Sequence, residues 1–120
     1  MIDNILDELF SLRTGKRRKN IDDLKLVYNL LGKPCESVKV IHIAGTNGKG
    51  STATFLENIL LEAGYNVGKF TSPHILRYNE RILYNREMID DNEIVSNYYF
   101  IKQVIEDFKR KNVDFKDMYL

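Results

Sequence analysis

The chain has 120 residues and one cysteine, Cys35, so an internal disulfide is excluded and a reducing compartment fits. Beside Pro34, that thiol is expected to pack rather than react. No early apolar run approaches the length of about 18 residues that a membrane span needs, and Asp3, Asp7 and Glu8 do not suit a signal or transit peptide. A cytoplasmic location without membrane partners is the expectation. Charge of one sign is also lacking: 18 Lys and Arg stand against 17 Asp and Glu, which makes no case for nucleic acid. The run Lys16, Arg17, Arg18, Lys19 is the local exception, and without interleaved aromatics it reads as a solvated basic linker. Repeats and low-complexity tracts are missing as well, and the length allows one domain with its own core.

Periodicity supplies the elements. Ile2, Ile5, Leu6, Leu9 and Phe10 follow helical spacing and predict a short amphipathic helix ending near Thr14 and Gly15. Asn20 is placed to cap a second helix, with Asp22 and Asp23 in its first turn, an apolar face of Leu24, Val27, Leu30 and Leu31, and a stop at Gly32 and Pro34. Residues 39–44 are β-branched and apolar, so they predict a buried strand in which His42 is a satisfied core histidine. Residues 51–63 carry Phe55, Leu56, Ile59, Leu60 and Ala63 at helical spacing and stop at Gly64. Residues 65–70 then predict a second strand, parallel to the first through a right-handed crossover. Pro73 and the polar His74, Arg77, Asn79 and Glu80 make residues 72–80 an irregular loop. Residues 82–89 predict a short hairpin or edge strand around Tyr84 and Asn85. Asp90 and Glu93 are spaced as a capping box for a long helix buried along Ile94, Tyr98, Ile101, Ile105 and Phe108.

Between the first strand and its helix lies Gly45-Thr46-Asn47-Gly48-Lys49-Gly50-Ser51-Thr52. Glycines at 45, 48 and 50 let the backbone take positive φ and come close to an anion, while the N–H groups of the first helical turn point at it. Lys49 adds a point charge for the β- and γ-phosphates. Ser51 and Thr52 either cap the helix or lie where a phosphate or its Mg²⁺ would be. Three glycines weaken local structure without improving packing, so a phosphate ligand explains them better than a bare connection does. The generic pattern G-x-x-x-x-G-K-[ST] is not met, because Ile43 stands at its first glycine and Gly50 at its hydroxyl.

The wording Gly-Thr-Asn-Gly-Lys-Gly-Ser resembles the compact P-loop of the Mur ligase superfamily. Phe70-Thr71-Ser72-Pro73-His74, followed by Glu80-Arg81-Ile82, resembles the loop after the second strand in folylpolyglutamate synthases and bifunctional dihydrofolate synthases. The likeness spans roughly residues 21 to 90 in order and spacing. It departs upstream, where Lys16-Arg17-Arg18-Lys19-Asn20 stands in place of a Gly-Leu-containing stretch.

The resemblance implies an α/β fold, a P-loop three-layer α/β/α arrangement holding part of the parallel sheet of the Mur ligase ATP-binding domain. Residues 1–120 would form the amino-terminal part of that domain, with the glutamate-binding domain absent. The implied activity is an ATP-dependent ligase that adds L-glutamate to folate, and to dihydropteroate in the bifunctional members, through an acyl phosphate. ATP and Mg²⁺ are the implied cofactors, and the small-molecule substrates are the implied partners. Lys49 is then the catalytic charge, and Gly45, Thr46, Asn47, Gly48, Lys49, Gly50, Ser51 and Thr52 bind the nucleotide. Ser72 is the implied Mg²⁺ ligand, joined in the family by a glutamate and a histidine from farther along. His74, Glu80 and Arg81 lie on the substrate side, although His74 serves equally to hold its loop and Glu80 with Arg81 could form an exposed ion pair. The basic run at 16–19 could attract a polyglutamate tail. Alone, the chain is expected to be inactive and to self-associate. Two other readings are a non-catalytic nucleotide-binding remnant and a P-loop small-molecule kinase.

Overall fold

The computed structural model describes residues 1–13 and 21–111. Asn20 and the basic run at 16–19 lie outside the described residues. The helical spacings appear as α1 (Ile2–Arg13), α2 (Ile21–Leu30), α3 (Lys49–Glu62) and α4 (Asp91–Lys111). Short strands follow α3 as β1 (Gly68–Phe70), β2 (Ile82–Tyr84) and β3 (Glu87–Met88), with a 3₁₀ turn at Tyr78–Arg81 before β2. Among the described residues no helix is long and apolar enough to cross a membrane. The chain divides into two compact units, one drawn from Met1–Lys39 and Asn92–Leu120, the other from Val40–Asp91.

In the first unit, α1, α2 and α4 each contribute one buried apolar residue: Ile5, Val27 and Ile94. All three are members of the expected stripes. The rest of the α4 stripe, Tyr98, Ile101, Ile105 and Phe108, is half-buried, whereas Tyr99 and Phe100 off the stripe are exposed. Lys102 on α4 reaches Glu8 on α1 at 3.3 Å and lies near the Tyr98 hydroxyl at 3.5 Å. Hydrogen bonds from Tyr98 and Lys102 hold the Glu8 carboxyl below its ordinary range. The α2 stop is a Schellman turn, in which the N–H of Gly32 donates to Asn29 O at 3.0 Å and that of Lys33 to Tyr28 O at 3.0 Å. Cys35 follows in this turn-rich exit and is exposed, so it does not pack as expected.

The second unit departs most from expectation. Residues 39–44 form no strand; Val40 is 74% and Ile41 60% exposed, and His42 is exposed rather than a core histidine. A β-branched run becomes a buried strand only when neighbours take up its N–H and C=O groups, and among the described residues none does. The sheet is instead three-stranded and antiparallel, in the order β1-β2-β3. Gly68 faces Tyr84 and Phe70 faces Ile82, so the expected second strand pairs with the hairpin that follows it and not in parallel with residues 39–44. The apolar stripe of α3 is likewise uncovered at Phe55 and Ile59, while Leu56 and Leu60 are half-buried.

The hairpin forms, with its turn at Asn85 and Arg86, whose φ values of 49° and 71° suit a tight two-residue connection. Asn tolerates the left-handed region because its short amide bonds locally. Here Asn85 Oδ1 accepts the Val67 N–H at 2.8 Å, Asn85 Nδ2 donates to Asn66 Oδ1 at 3.1 Å, and the Asn85 N–H donates to Val67 O at 2.8 Å. Asn85→Ala removes both side-chain bonds and retains the positive φ. It should cost about 1–3 kcal/mol, read as a lowered denaturant midpoint with an unchanged slope; an unshifted midpoint would show that the turn does not depend on this amide.

Candidate functional site

The approach to α3 is made by backbone rather than by side chains. Gly48 takes φ 76° and ψ 8°, a left-handed conformation costly for residues with a Cβ, and the chain enters the helix at Lys49. Gly48 O accepts the Thr52 N–H at 2.9 Å, which closes the first turn. No side chain caps the helix. The expectation that Ser51 or Thr52 serves as the cap is therefore corrected: the left-handed glycine starts the helix earlier, and Ser51 and Thr52 lie inside it. The N–H groups of Lys49, Gly50 and Ser51 have no intrahelical acceptor, and the positive end of the helix dipole lies among them.

Residues 45–52 are all exposed, the Lys49 side chain included. A Cβ built on Gly50 would meet no heavy atom within 4 Å, so packing does not require glycine there. A bare leading edge is what close approach by a tetrahedral anion requires. Thr54, one turn on, donates its hydroxyl to Gly50 O at 3.0 Å and does not compete for those N–H groups.

The loop after β1 carries the other expected residues. Ser72 is exposed. Glu80 spends both carboxylate oxygens on the loop's own backbone: Oε2 accepts the Ile75 N–H at 3.0 Å, and Oε1 accepts those of Leu76 at 2.9 Å and Arg77 at 2.8 Å. These three bonds hold its carboxyl below the ordinary glutamate range. Arg81 donates from Nε to His74 Nδ1 at 2.8 Å and lies 5.2 Å from the centre of the Tyr78 ring; His74 meets that ring edge-on at 5.9 Å. Nδ1 is therefore the acceptor nitrogen of His74 in this arrangement. Glu80 and Arg81 do not form the ion pair considered above. His74 receives a holding contact from the Arg81 side chain.

This internal bonding presents Ile75 and Leu76 outward, 89% and 86% exposed. Sequence reasoning passed over them, although adjacent Ile and Leu in a polar loop are the available signal. It also missed Asn79, which is buried and donates to Ile89 O and Asp91 Oδ1, both at 2.8 Å, and so ties the 3₁₀ turn to the start of α4. Lys69 and Glu57, joined at 2.9 Å, were passed over too.

No protein-family profile matches the chain. Among curated proteins it is similar to the folylpolyglutamate synthase of Lacticaseibacillus casei, 36% identical over 103 residues that make up 86% of this chain and 23% of that protein. It is also similar to the dihydrofolate synthase/folylpolyglutamate synthase of Bacillus subtilis (strain 168), 50% identical over 70 residues, 58% of this chain and 16% of that one. Among solved structures, an FPGS-AMPPCP-folate complex matches 96% of this chain and 28% of its own, at 30% identity and a TM-score of 0.80. The chain thus spans about a quarter or less of the length of the curated relatives it matches.

The Glu80 contacts predict an acid transition confined to the loop. A carboxylate whose folded pKa is depressed stabilises above its unfolded pKa and loses that contribution as pH falls through the folded one. The amide resonances of Ile75, Leu76 and Arg77 should shift together at a pH below the ordinary glutamate range, and Glu80→Gln should abolish the step. Amides that titrate separately, or a step that persists in the variant, would count against a single holding carboxylate.

Proposed function

Since the chain belongs to the folylpolyglutamate synthase/dihydrofolate synthase family, we propose that it supplies the phosphate-binding part of an ATP-dependent ligase that joins L-glutamate to a folate or dihydropteroate carboxyl group. The observation that carries the reading is the uncapped start of α3, with Lys49 entering the helix directly after a left-handed Gly48. In this reading a protein of the family's full length would set the loop in a three-layer P-loop domain, whose further strands would take up the N–H and C=O groups that residues 39–44 leave unpaired among the described residues.

The roles follow from the chemistry of each group. The N–H groups of Lys49, Gly50 and Ser51 donate to phosphate oxygens, and the Lys49 ammonium offsets charge on the transferring phosphoryl group. ATP passes its γ-phosphoryl group to the acceptor carboxylate, giving ADP and an acyl phosphate; the glutamate amine then attacks the carbonyl, phosphate leaves, and an amide forms with loss of a proton. Ser51 and Ser72 offer hydroxyl oxygens to Mg²⁺. Among the described residues no group of three His, Cys, Asp or Glu could hold a metal by itself, and this donor set suits a hard cation that keeps phosphate and water ligands. When bound, Mg²⁺ would neutralise phosphate charge. Gly45, Thr46, Asn47 and Thr52 shape the loop, and His74, Glu80 and Arg81 keep the substrate-side loop in form, with Ile75 and Leu76 facing outward. Taken alone the chain should bind nucleotide weakly and not catalyse, because the run that aims the loop is exposed at Val40 and Ile41. The same apolar surface favours self-association.

In a protein of the family's full length that carries this segment, ADP and glutamyl amide should form together and only with a pteroate or folate acceptor. Lys49→Ala should lower that rate by about 10²–10³ with the fold intact, since its exposed side chain does not pack. Ser72→Ala should raise the Mg²⁺ concentration for half-maximal rate more than it alters metal-free nucleotide affinity. ADP release indifferent to the acceptor, or full activity in Lys49→Ala, would remove the reading.

A further inference from the structure

One buried charge in the second unit has no part in the roles above. Glu57 lies on α3 with its side chain 4% exposed, and its Oε1 accepts from Lys69 Nζ on β1 at 2.9 Å. The Lys69 side chain is 14% exposed and reaches Thr54 Oγ1 at 3.4 Å. Glu57 Oε2 is buried and has no hydrogen-bond partner. An ion pair with one unsatisfied oxygen is a poor way to gain stability, since well-packed apolar residues commonly do as well or better. What the pair does provide is register. Glu57 stands about two helical turns beyond Lys49, and Lys69 stands three residues before Ser72 on the strand that leads into its loop.

Besides these contacts of Lys69 with Glu57 and Thr54, the described residues show one side-chain link from α3 to the hairpin turn of this sheet. Arg86, in the hairpin turn, donates from Nε and Nη2 to Asn58 Oδ1 at 2.9 and 2.5 Å, and that contact is exposed. The turn lies at the end of the hairpin away from Ser72. The buried pair is thus the link whose strand runs directly into residues 71 and 72, where a slip along β1 would carry the Ser72 hydroxyl with it.

The geometry points to Glu57 and Lys69 as positioning residues that hold Ser72 in register with the start of α3, so that one divalent cation is shared between the Ser72 hydroxyl and a nucleotide bound at Lys49–Gly50–Ser51. This rests on the phosphate-binding reading above. The pair touches neither nucleotide nor cation. Its effect should therefore appear in metal dependence and not in metal-free nucleotide affinity.

The test uses the 120-residue chain with AMPPCP as the probe, titrated without metal and then with increasing Mg²⁺, beside thermal melting. Lys69→Met should raise the Mg²⁺ concentration that half-maximally tightens AMPPCP binding by about tenfold or more, the usual cost of losing a group that orients a metal ligand, and leave metal-free affinity within about twofold. Glu57→Gln, which keeps shape and some hydrogen bonding, should do the same to a smaller extent and remains measurable if Lys69→Met does not fold. Lys69→Arg should restore most of the metal dependence, and Arg86→Ala should not move it. Folded Lys69→Met and Glu57→Gln proteins that melt earlier but keep the wild-type Mg²⁺ dependence would overturn the proposal and leave the phosphate site standing. A wild-type chain that does not bind AMPPCP with or without Mg²⁺ would overturn both.

Discussion

At Gly48 the backbone passes from an open approach into the first turn of α3 with φ 76° and no capping side chain between. A serine or aspartate there would satisfy one of the leading N–H groups and make a steadier helix. Glycine leaves the helix without that bond and keeps the N–H groups of Lys49, Gly50 and Ser51 for something else. The helix dipole and the Lys49 ammonium add positive potential at the same point, the arrangement that the proposed phosphate site would use. Residues 45–52 are exposed and the space at Gly50 is open, so the same stretch is accessible from solvent.

Two carboxylates in the second unit, Glu80 and Glu57, are engaged in contacts that hold local geometry. Glu80 collects three successive backbone N–H groups and shapes the loop that presents Ile75 and Leu76. Glu57 sits under β1 and meets Lys69. Each fixes one segment of this unit: one the exposed tip of the loop after β1, the other the strand that leads to Ser72. Such interactions matter because this unit has little apolar burial of its own; among the described residues the buried apolar side chains Ile5, Val27 and Ile94 all belong to the other unit.

Local features were the legible ones. Helical spacing placed α1, α2 and α4 within a residue or two, and the glycines after α2 and α3 mark real Schellman stops, at Gly64 with φ 91° and a Gly64 N–H bond to Leu61 O of 3.0 Å. The glycine-led entry into α3 could be read because glycine, lysine and hydroxyl occur together where an apolar run meets a helical pattern. Pairing was not legible. Residues 39–44 have strand composition, but composition does not say which strand will sit beside them, and β1 finds β2 instead. His42 was misplaced for the same reason. Glu57 was invisible because a glutamate next to an apolar stripe normally faces water, and the loop-holding role of Glu80 because its partners are backbone N–H groups, which any sequence supplies.

The central claim is that the start of α3 is a phosphate site. Titrating the ¹⁵N-labelled chain with AMPPCP and Mg²⁺, and following its amide resonances, tests it directly even at weak affinity. The account predicts that the amides of Lys49, Gly50 and Ser51 shift first and farthest, and that the Lys49→Ala chain needs far more nucleotide for the same change. Resonances of that turn that stay fixed while others move, or identical titrations in the two chains, would contradict it.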